Sequence, residues 1–595
     1  MSTRPARLVP TLLATAVLLA LAGCQSSSDV AGSAPPPPEE PAVPQERSRE
    51  QESRRLESVV VTGTRVRSAE AGAVADIAYA PAPPPAPPAP SAPLAFAAPS
   101  VAAPPAGFAA LPEPNAERYA DVPPNPVQRV AEQPVSTFSI DVDTGSYSNL
   151  RRMIGWGQRP PADAVRVEEL LNYFDYADEA PASRAQPFAV RTELAPAPWN
   201  ARRLLLRVAL KAYEVPASQL PPSNLVFLVD TSGSMQEADK LPLVKQALRE
   251  LVLQMRPQDR IALVVYAGSA GLVLPPTSGA ERGTILEALD RLEAGGSTNG
   301  GAGIELAYRI AREAKIDGGA NRIVLATDGD FNVGTTDQST LEAFVAEQRK
   351  HGIALSTLGF GQGNYNDAMA EQLANIGDGN HAYIDSPREA RKVLRDEMAG
   401  TLLTVAKDVK IQVEFNPAQV AENRQLKRED FANDAVDAGE IGAGHDVTAL
   451  YEIALVGSGG EWNAPLKYAA GARTPATGTA GELATVRLRY KAPEGGASRL
   501  MERPVRRADI ATIASPALQW AAAVTAYGER LRGGEALGGA GWTEVARWVD
   551  AAFAAAPEAR DAASRDELRR MVRQAAALDG ETLPEGEPPA LAVSE

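Results

Sequence analysis

Cysteine is nearly absent: the 595 residues contain one, Cys24, so no disulfide can form within a single chain. Histidine is almost as scarce, with His351, His381 and His445 alone, and none of them stands in an HExxH or other paired-ligand spacing. Surface or strand-edge positions are expected for all three. Aromatic residues make up only 5%, partly because one region is almost entirely Ala and Pro. Positive charge is outnumbered, 59 Lys and Arg against 75 Asp and Glu, for a net charge of −16. That balance excludes nucleic acid and anionic membrane surfaces as non-specific partners. The glycine-rich loop at 295–303 is followed by no Gly-Lys-Ser/Thr, so it is not a P-loop. Ser232 lacks the leading glycine of a nucleophile elbow, and no residue is assigned a catalytic role.

What is present begins with an export signal. Arg4 and Arg7 precede an apolar stretch at 8–22, and Leu21-Ala22-Gly23-Cys24 follows at the cleavage position. The pattern resembles a bacterial lipobox, which implies removal of residues 1–23 and acylation of Cys24. Gln25 in the next position implies sorting to the outer membrane of a Gram-negative cell. No later run reaches the eighteen or so apolar residues of a span, which leaves the lipid as the expected membrane anchor.

Residues 24–126 are rich in Ser, Pro, Ala and Glu, with Pro35 to Pro38 and Pro83-Pro84-Pro85 as examples. Such composition cannot bury enough apolar surface to order itself, so a disordered tether is expected, extended where proline is dense. One β-prone island, ESVVVTGTR at 57–65, resembles the segment that precedes the plug of many outer-membrane receptors. An apolar strip in a linker is its simpler reading.

Ordered structure is expected from about Val127. Residues 165–176 (VRVEELLNYFDY) have helical spacing and 203–210 (RLLLRVAL) read as a strand. From Asn224 strands at 224–230, 260–266, 322–327, 353–360 and 381–384 alternate with amphipathic segments at 241–255, 283–292, 301–314, 341–350 and 367–375. Continuous apolar strands between helices imply an α/β, doubly wound domain with a parallel sheet covered on both faces. Beyond residue 400 the apolar period becomes two, as in VKIQVEF at 409–415, which predicts a small antiparallel β layer. Helices are predicted at 517–531, 542–555 and 565–578, the last behind a Ser564-to-Glu567 capping box and with Arg565 to Arg573 as a solvated face.

Two short stretches compete for attention as sites. FSIDVDTGSYSNL at 138–150 carries the DTGS of a pepsin-like protease, and VFLVDTSGSM at 226–235 offers a second aspartate. A protease dyad needs two similar β lobes so that one proton is shared, and the chain between Asp143 and Asp230 is partly helical. Counted from Asp143 as Asp-x-Ser-x-Ser, the serine positions hold Gly145 and Tyr147. The first stretch is therefore expected to be a strand, 137–142, ending in an Asp-Thr-Gly turn that caps the next helix.

Asp230 differs, because it ends the first apolar strand, where doubly wound folds place their sites. Ser232 and Ser234 follow it. Loops carrying Thr298 (GGSTNGG, 295–301) and Asp328 (LATDGD, 325–330) are expected on the same rim. Three hydroxyls and two carboxylates suit a hard divalent cation. With only two charged groups, the cation would stay electrophilic and keep one coordination position open.

Asp230, Ser232, Ser234, Thr298 and Asp328, in this order and on these elements, resemble the metal-ion-dependent adhesion site of the von Willebrand factor type A domain. The resemblance implies Mg²⁺ (or Mn²⁺ or Ca²⁺) bound directly by Ser232, Ser234 and Thr298, with Asp230 and Asp328 acting largely through water. It extends to bacterial exported lipoproteins in which that domain is flanked by two family-specific segments, carried here by TFSIDVDT at 137–144 and 165–176 in front and by VDAGEIGAGH at 436–445 and VTALYE at 447–452 behind. The implied organisation is a signal peptide (1–23), tether (24–126), N-terminal α+β segment (127–221), type A domain (222–400) and C-terminal domain of a β layer then helices (401–585). The implied function is binding of a protein that presents an Asp or Glu carboxylate to the metal, periplasmic or surface-facing on the outer membrane. An envelope scaffold with a merely stabilising metal, and a metal-dependent hydrolase, are the alternatives.

Overall fold

The computed structural model describes residues 117–120, 125–140, 142–329, 338–363, 365–426, 439–463 and 481–583. The signal segment, Cys24, the island at 57–65, the tether up to residue 116, Asp141, Asp330 and residues 436–438 lie outside the described residues. Among the described residues no helix is long and apolar enough to cross a membrane.

The central α/β domain follows from its apolar strands. Its elements are β1 (Ser223–Asp230), α1 (Leu241–Val252), β2 (Arg260–Tyr266), β3 (Ala270–Ser278), α2 (Arg282–Asp290), α3 (Gly300–Glu313), β4 (Ala320–Thr327), α4 (Gln338–Arg349), β5 (Ala354–Gly359), α5 (Asp367–Ile376) and β6 (His381–Tyr383). The sheet order is β6-β5-β4-β1-β2-β3, parallel except for the antiparallel edge strand β3. All eight residues of β1 are buried. Phe227 and Val229 pack with α1 residues such as Leu248 on one face, while Val226 and Leu228 pack with Ile304 and Tyr308 of α3 on the other. This is the doubly wound arrangement expected from the alternation. Strand β3 escaped the pattern because Pro275 and Pro276 lie within it, and proline is tolerated only where a sheet edge asks for no donor.

Flanking segments that look separate in sequence share their cores. One antiparallel sheet has the order Gln128–Arg129, Val420–Gln425, Asp446–Leu455, Asn200–Ala212, Phe188–Ala197, with two rear strands set between front strands. In a second sheet Thr404–Phe415 pairs with Glu482–Lys491 on one side and with Gly439–Gly442 and Val135–Ser139 on the other. Phe138 and Leu206 from the front meet Val413, Tyr451 and Leu488 from the rear in one apolar cluster. Helices do the same: Tyr147, Leu170 and Phe174 pack with Trp520, Val545 and Met571. The α/β domain is thus inserted between two halves of one structure. The predicted C-terminal β layer exists, but among the described residues four strands of the two sheets, Gln128–Arg129, Val135–Ser139, Phe188–Ala197 and Asn200–Ala212, come from the N-terminal side.

Several local expectations change. Arg118 already pairs with Asn366, and the carboxylate of Glu117 takes Arg152 at 2.9 Å and the Gly363 amide at 3.0 Å. Packing therefore begins before Val127, through contacts that composition cannot reveal. The Asp143-Thr144 turn does not cap its helix (Gly145–Gly155): Thr144 makes no side-chain cap bond, Glu169 accepts from the Ser146 amide at 2.8 Å, and Asp143 Oδ1 accepts from the His381 amide at 2.8 Å. The last helix (Ala562–Leu578) starts before the supposed capping box, with Ser564 Oγ turned to Arg388 at 2.8 Å. Arg565 is buried over the Trp520 ring rather than solvated. His381 is buried too, His445 is half-buried, and only His351 is exposed.

Buried ion pairs dock the front helices on the α/β domain. Arg166 binds Glu169 of its own helix and Asp367 at the start of α5, with Glu371 at 3.4 Å. Burial alone would raise Asp367, but Arg166 and His381 overcome it and hold this carboxyl well below the usual range. Arg151 joins all three parts, binding Asp385, Glu389 at 2.8 Å and Glu567 at 3.0 Å. Removing one partner from such a network leaves unpaired charge in a low-dielectric interior, which costs about 3–5 kcal/mol. Arg166→Ala is expected to lower the unfolding free energy by about that amount in urea titration, and an effect under about 1 kcal/mol would show that the pair does not hold the halves together.

A second charge has the opposite character. Neither carboxylate oxygen of Asp446 has a hydrogen-bond partner, and burial, followed by the nearby Asp178, pushes this group up to about 7 against Lys211 and Arg207. A carboxyl raised in the folded state stabilises the fold below its unfolded pKa and loses that contribution as pH rises through its folded value. Asp446→Asn is therefore expected to melt several degrees above the parent at pH 8, with the gap closing toward pH 4. Equal melting temperatures at both pH values would refute this.

Candidate functional site

Parallel strands β1 and β4 are adjacent, with Val229 opposite Ala326, so both carboxyl ends open on one rim. Asp230 is the last residue of β1 and Asp328 the first after β4, and both are completely buried. Tyr266, at the end of β2, pairs in register with Asp230 and places its hydroxyl against Asp230 and Thr327. Burial pushes Asp230 up to about 6, the Ser232 amide opposes the rise, and the nearby Asp328 charge adds to it.

Beyond Asp230 the chain cannot continue as a strand, because its carboxylate captures the Ser232 amide at 2.8 Å. The turn Gly233–Gln236 follows, with Met235 fully buried as its anchor. Ser232 Oγ and Ser234 Oγ face each other at 3.0 Å. The glycine-rich loop is bound to this turn by two backbone hydrogen bonds, Gly295 N to Thr231 O at 2.7 Å and Gly233 N to Gly296 O at 3.0 Å. Thr298, half-buried, sits in that loop just before Asn299, which caps α3 by accepting from Ala302 N. The five sequence-predicted residues thus lie on three segments joined at one rim: Asp230, Ser232 and Ser234 interact directly, Asp328 acts on Asp230 through its charge, and Thr298 arrives with its loop.

Close backbone packing holds the rim. Gly329 has φ +87°, and a Cβ there would overlap the backbone of Tyr365 and Asn366. Gly361, at φ +70°, lies flat against the side chain of Lys240. Lys240 is the residue that pattern reading missed. Its ammonium is 3.0 Å from Asp328 Oδ2, with side chains 6% and 0% exposed. Nothing in the local pattern marks it, since a lysine at a helix N-terminus reads as solvated. Only its place ten residues after Asp230, on the same connection between β1 and α1, could have raised the question.

The donor set fits a hard cation. Asp230 Oδ2 is buried and accepts no hydrogen bond of normal geometry, although the Tyr266 hydroxyl nearby favours its charged form. A second carboxylate and paired serine hydroxyls adjoin it, an all-oxygen set suited to Mg²⁺, Mn²⁺ or Ca²⁺. Among the described residues no group of three His, Cys, Asp or Glu could hold a metal, so an ion here depends on hydroxyl ligands.

Comparison with known proteins places this geometry in a family. Residues 224–396 match the von Willebrand factor type A domain, residues 113–207 a family described as von Willebrand factor, and residues 400–578 the C-terminal region of uncharacterized protein YfbK. Uncharacterized protein YfbK of Escherichia coli (strain K12) is 48% identical over 460 residues, 75% of this chain and 79% of that protein. Uncharacterized protein sll0103 of Synechocystis is 31% identical over 199 residues, 33% of this chain and 46% of its own length. Human inter-alpha-trypsin inhibitor heavy chain H4 is 29% identical over 194 residues, 31% of this chain and 21% of its own. Among solved structures, von Willebrand factor type A from Catenulispora acidiphila covers 65% of this chain and 89% of its own at 17% identity, with a TM-score of 0.37. With this sheet, these flanking halves and nearly half its residues shared over three quarters of its length, the chain belongs to the bacterial YfbK family of von Willebrand factor type A domain proteins.

Proposed function

We propose that this chain is an exported lipoprotein, anchored to the outer membrane by acyl chains on Cys24, that binds a partner protein through a divalent cation on the rim of its type A domain. The observation that carries this is Asp230: a buried carboxylate with one oxygen unsatisfied, set beside a second buried carboxylate and two facing hydroxyls. Burying two like charges together is unfavourable unless a cation offsets them. Type A domains are protein-interaction modules, which supports a protein as the partner.

Ser232, Ser234 and Thr298 would hold the cation, with Asp230 and Asp328 orienting its shell, and a partner's Asp or Glu would complete the coordination. The bound ion supplies a positive point that an acidic side chain can reach. Met235 and the loop hydrogen bonds keep the hydroxyls preorganised, so little ordering remains when the ion arrives. Metal and partner affinities are then linked by the same factor in both directions.

A second reading has its own observation. The ion pairs of Arg151 and Arg166 bind the α/β domain rigidly to both flanks, as suits a scaffold in which the ion only adds stability. Capture of the partner with and without chelator separates the two, because a scaffold keeps its partner in chelator.

Calorimetric titration of Mg²⁺ and Mn²⁺ into the full-length protein is expected to show saturable binding that Asp230→Ala and Thr298→Ala abolish. Melting temperature should rise with metal in the parent alone, corresponding to about 2.7 kcal/mol at a hundredfold excess over Kd. No heat and no thermal shift up to millimolar metal would sink the cation reading and leave the scaffold.

A further inference from the structure

We propose that the Lys240 ammonium is a tethered competitor for the divalent cation: it rests on Asp328 when the ion is away and opposes the ion's entry unless an outside carboxylate comes with it. This inference rests on the cation reading above and concerns what that site demands of its ligand.

Three observations carry it. Lys240 Nζ makes its contact with Asp328 Oδ2, 3.0 Å away, inside the protein, where two candidate metal-site carboxylates are buried and one ammonium has been buried with them. Its stem is confined, because Gly361 approaches Cγ, Cδ and Cε so closely that no Cβ would fit between. Its backbone is confined as well: the Lys240 amide donates to Glu237 O at 3.1 Å, and its carbonyl accepts from Val244 N at 2.9 Å, closing the turn that starts at Asp230 against α1. The ammonium therefore cannot swing into solvent without moving the loop at 361–363.

Charge accounting gives the consequence. Asp230, Asp328 and Lys240 together leave one negative charge without an ion. A divalent cation turns that into one positive charge in a water-poor setting, with an ammonium as its neighbour. One carboxylate from outside returns the site to neutrality. Without Lys240 the two aspartates alone would neutralise the cation, and the outside carboxylate would be in excess. Lys240 thus makes the bare cation weakly held and the pair of cation plus acidic side chain strongly held, which selects an acidic peptide over a neutral one. It is a positioning and specificity residue, not a metal ligand.

The test compares the parent, Lys240→Met, Lys240→Gln and Asp230→Ala as full-length proteins, titrated with Mn²⁺ alone and with Mn²⁺ plus acetate as the carboxylate probe. Lys240→Met is expected to bind Mn²⁺ about tenfold tighter than the parent, since a like charge within a few ångströms is gone. It should gain less from acetate than the parent does and melt at a lower temperature in chelator. A merely structural lysine would weaken both states and tighten neither. Should Lys240→Met fail to fold, Lys240→Gln, which keeps a hydrogen bond to Asp328 without the charge, carries the same expectation. Saturable parent binding, lost in Asp230→Ala but no tighter in either Lys240 variant, would overturn this inference and leave the cation site standing. Absence of Mn²⁺ binding in all four proteins would overturn both.

Discussion

Two carboxylates buried side by side impose the constraint on which the rim depends. Asp230 and Asp328 end neighbouring parallel strands, so the β1–β4 register alone brings them together. Burial pushes Asp230 up to about 6, and the like charge of the nearby Asp328 adds to the rise. Each surrounding feature answers it in part. The Ser232 amide offsets charge on one oxygen of Asp230, the Tyr266 hydroxyl lies against the same group, and Lys240 offsets Asp328. One negative charge remains, which the proposed cation among the hydroxyls would offset.

Rigidity of this rim comes from outside the α/β domain as much as from within it. Asp367, which opens α5, is held by Arg166 of the front half, and the amide of His381 on β6 is held by Asp143. Arg118 pairs with Asn366, beside the residue that packs on Gly329. The loop next to Asp328 therefore has the front segment on its far side. Insertion of the α/β domain between two halves that share their cores makes this possible, because both of its ends return to one structure.

The DTGS stretch shows how far a motif can mislead. Asp143 carries no chemistry of the protease kind; it accepts a backbone hydrogen bond from another domain. The helix that its turn was expected to cap is served by Glu169, more than twenty residues away. Short polar residues near helix starts are good capping candidates, yet a buried interface offering better-placed donors can claim them first. Asp561 and Ser564 repeat the lesson at the last helix, where Asp175, Arg565 and Arg388 take their side chains.

Sequence alone determined the alternating strands and helices of the α/β domain, because each apolar run carries its own period and the covered parallel sheet leaves few other ways to bury it. It also determined the order of Asp230, Ser232, Ser234, Thr298 and Asp328 and their place at strand ends, since a doubly wound fold sends those loops to one edge. Tertiary structure decided the rest. Pairing of Gln128–Arg129 with Val420–Gln425, and of Asp446–Leu455 with Asn200–Ala212, joins residues hundreds of positions apart that share no local pattern. Burial of Lys240 on Asp328 was equally hidden, because an ammonium is buried only where a carboxylate and a close-packed glycine await it, and only the assembled fold supplies both.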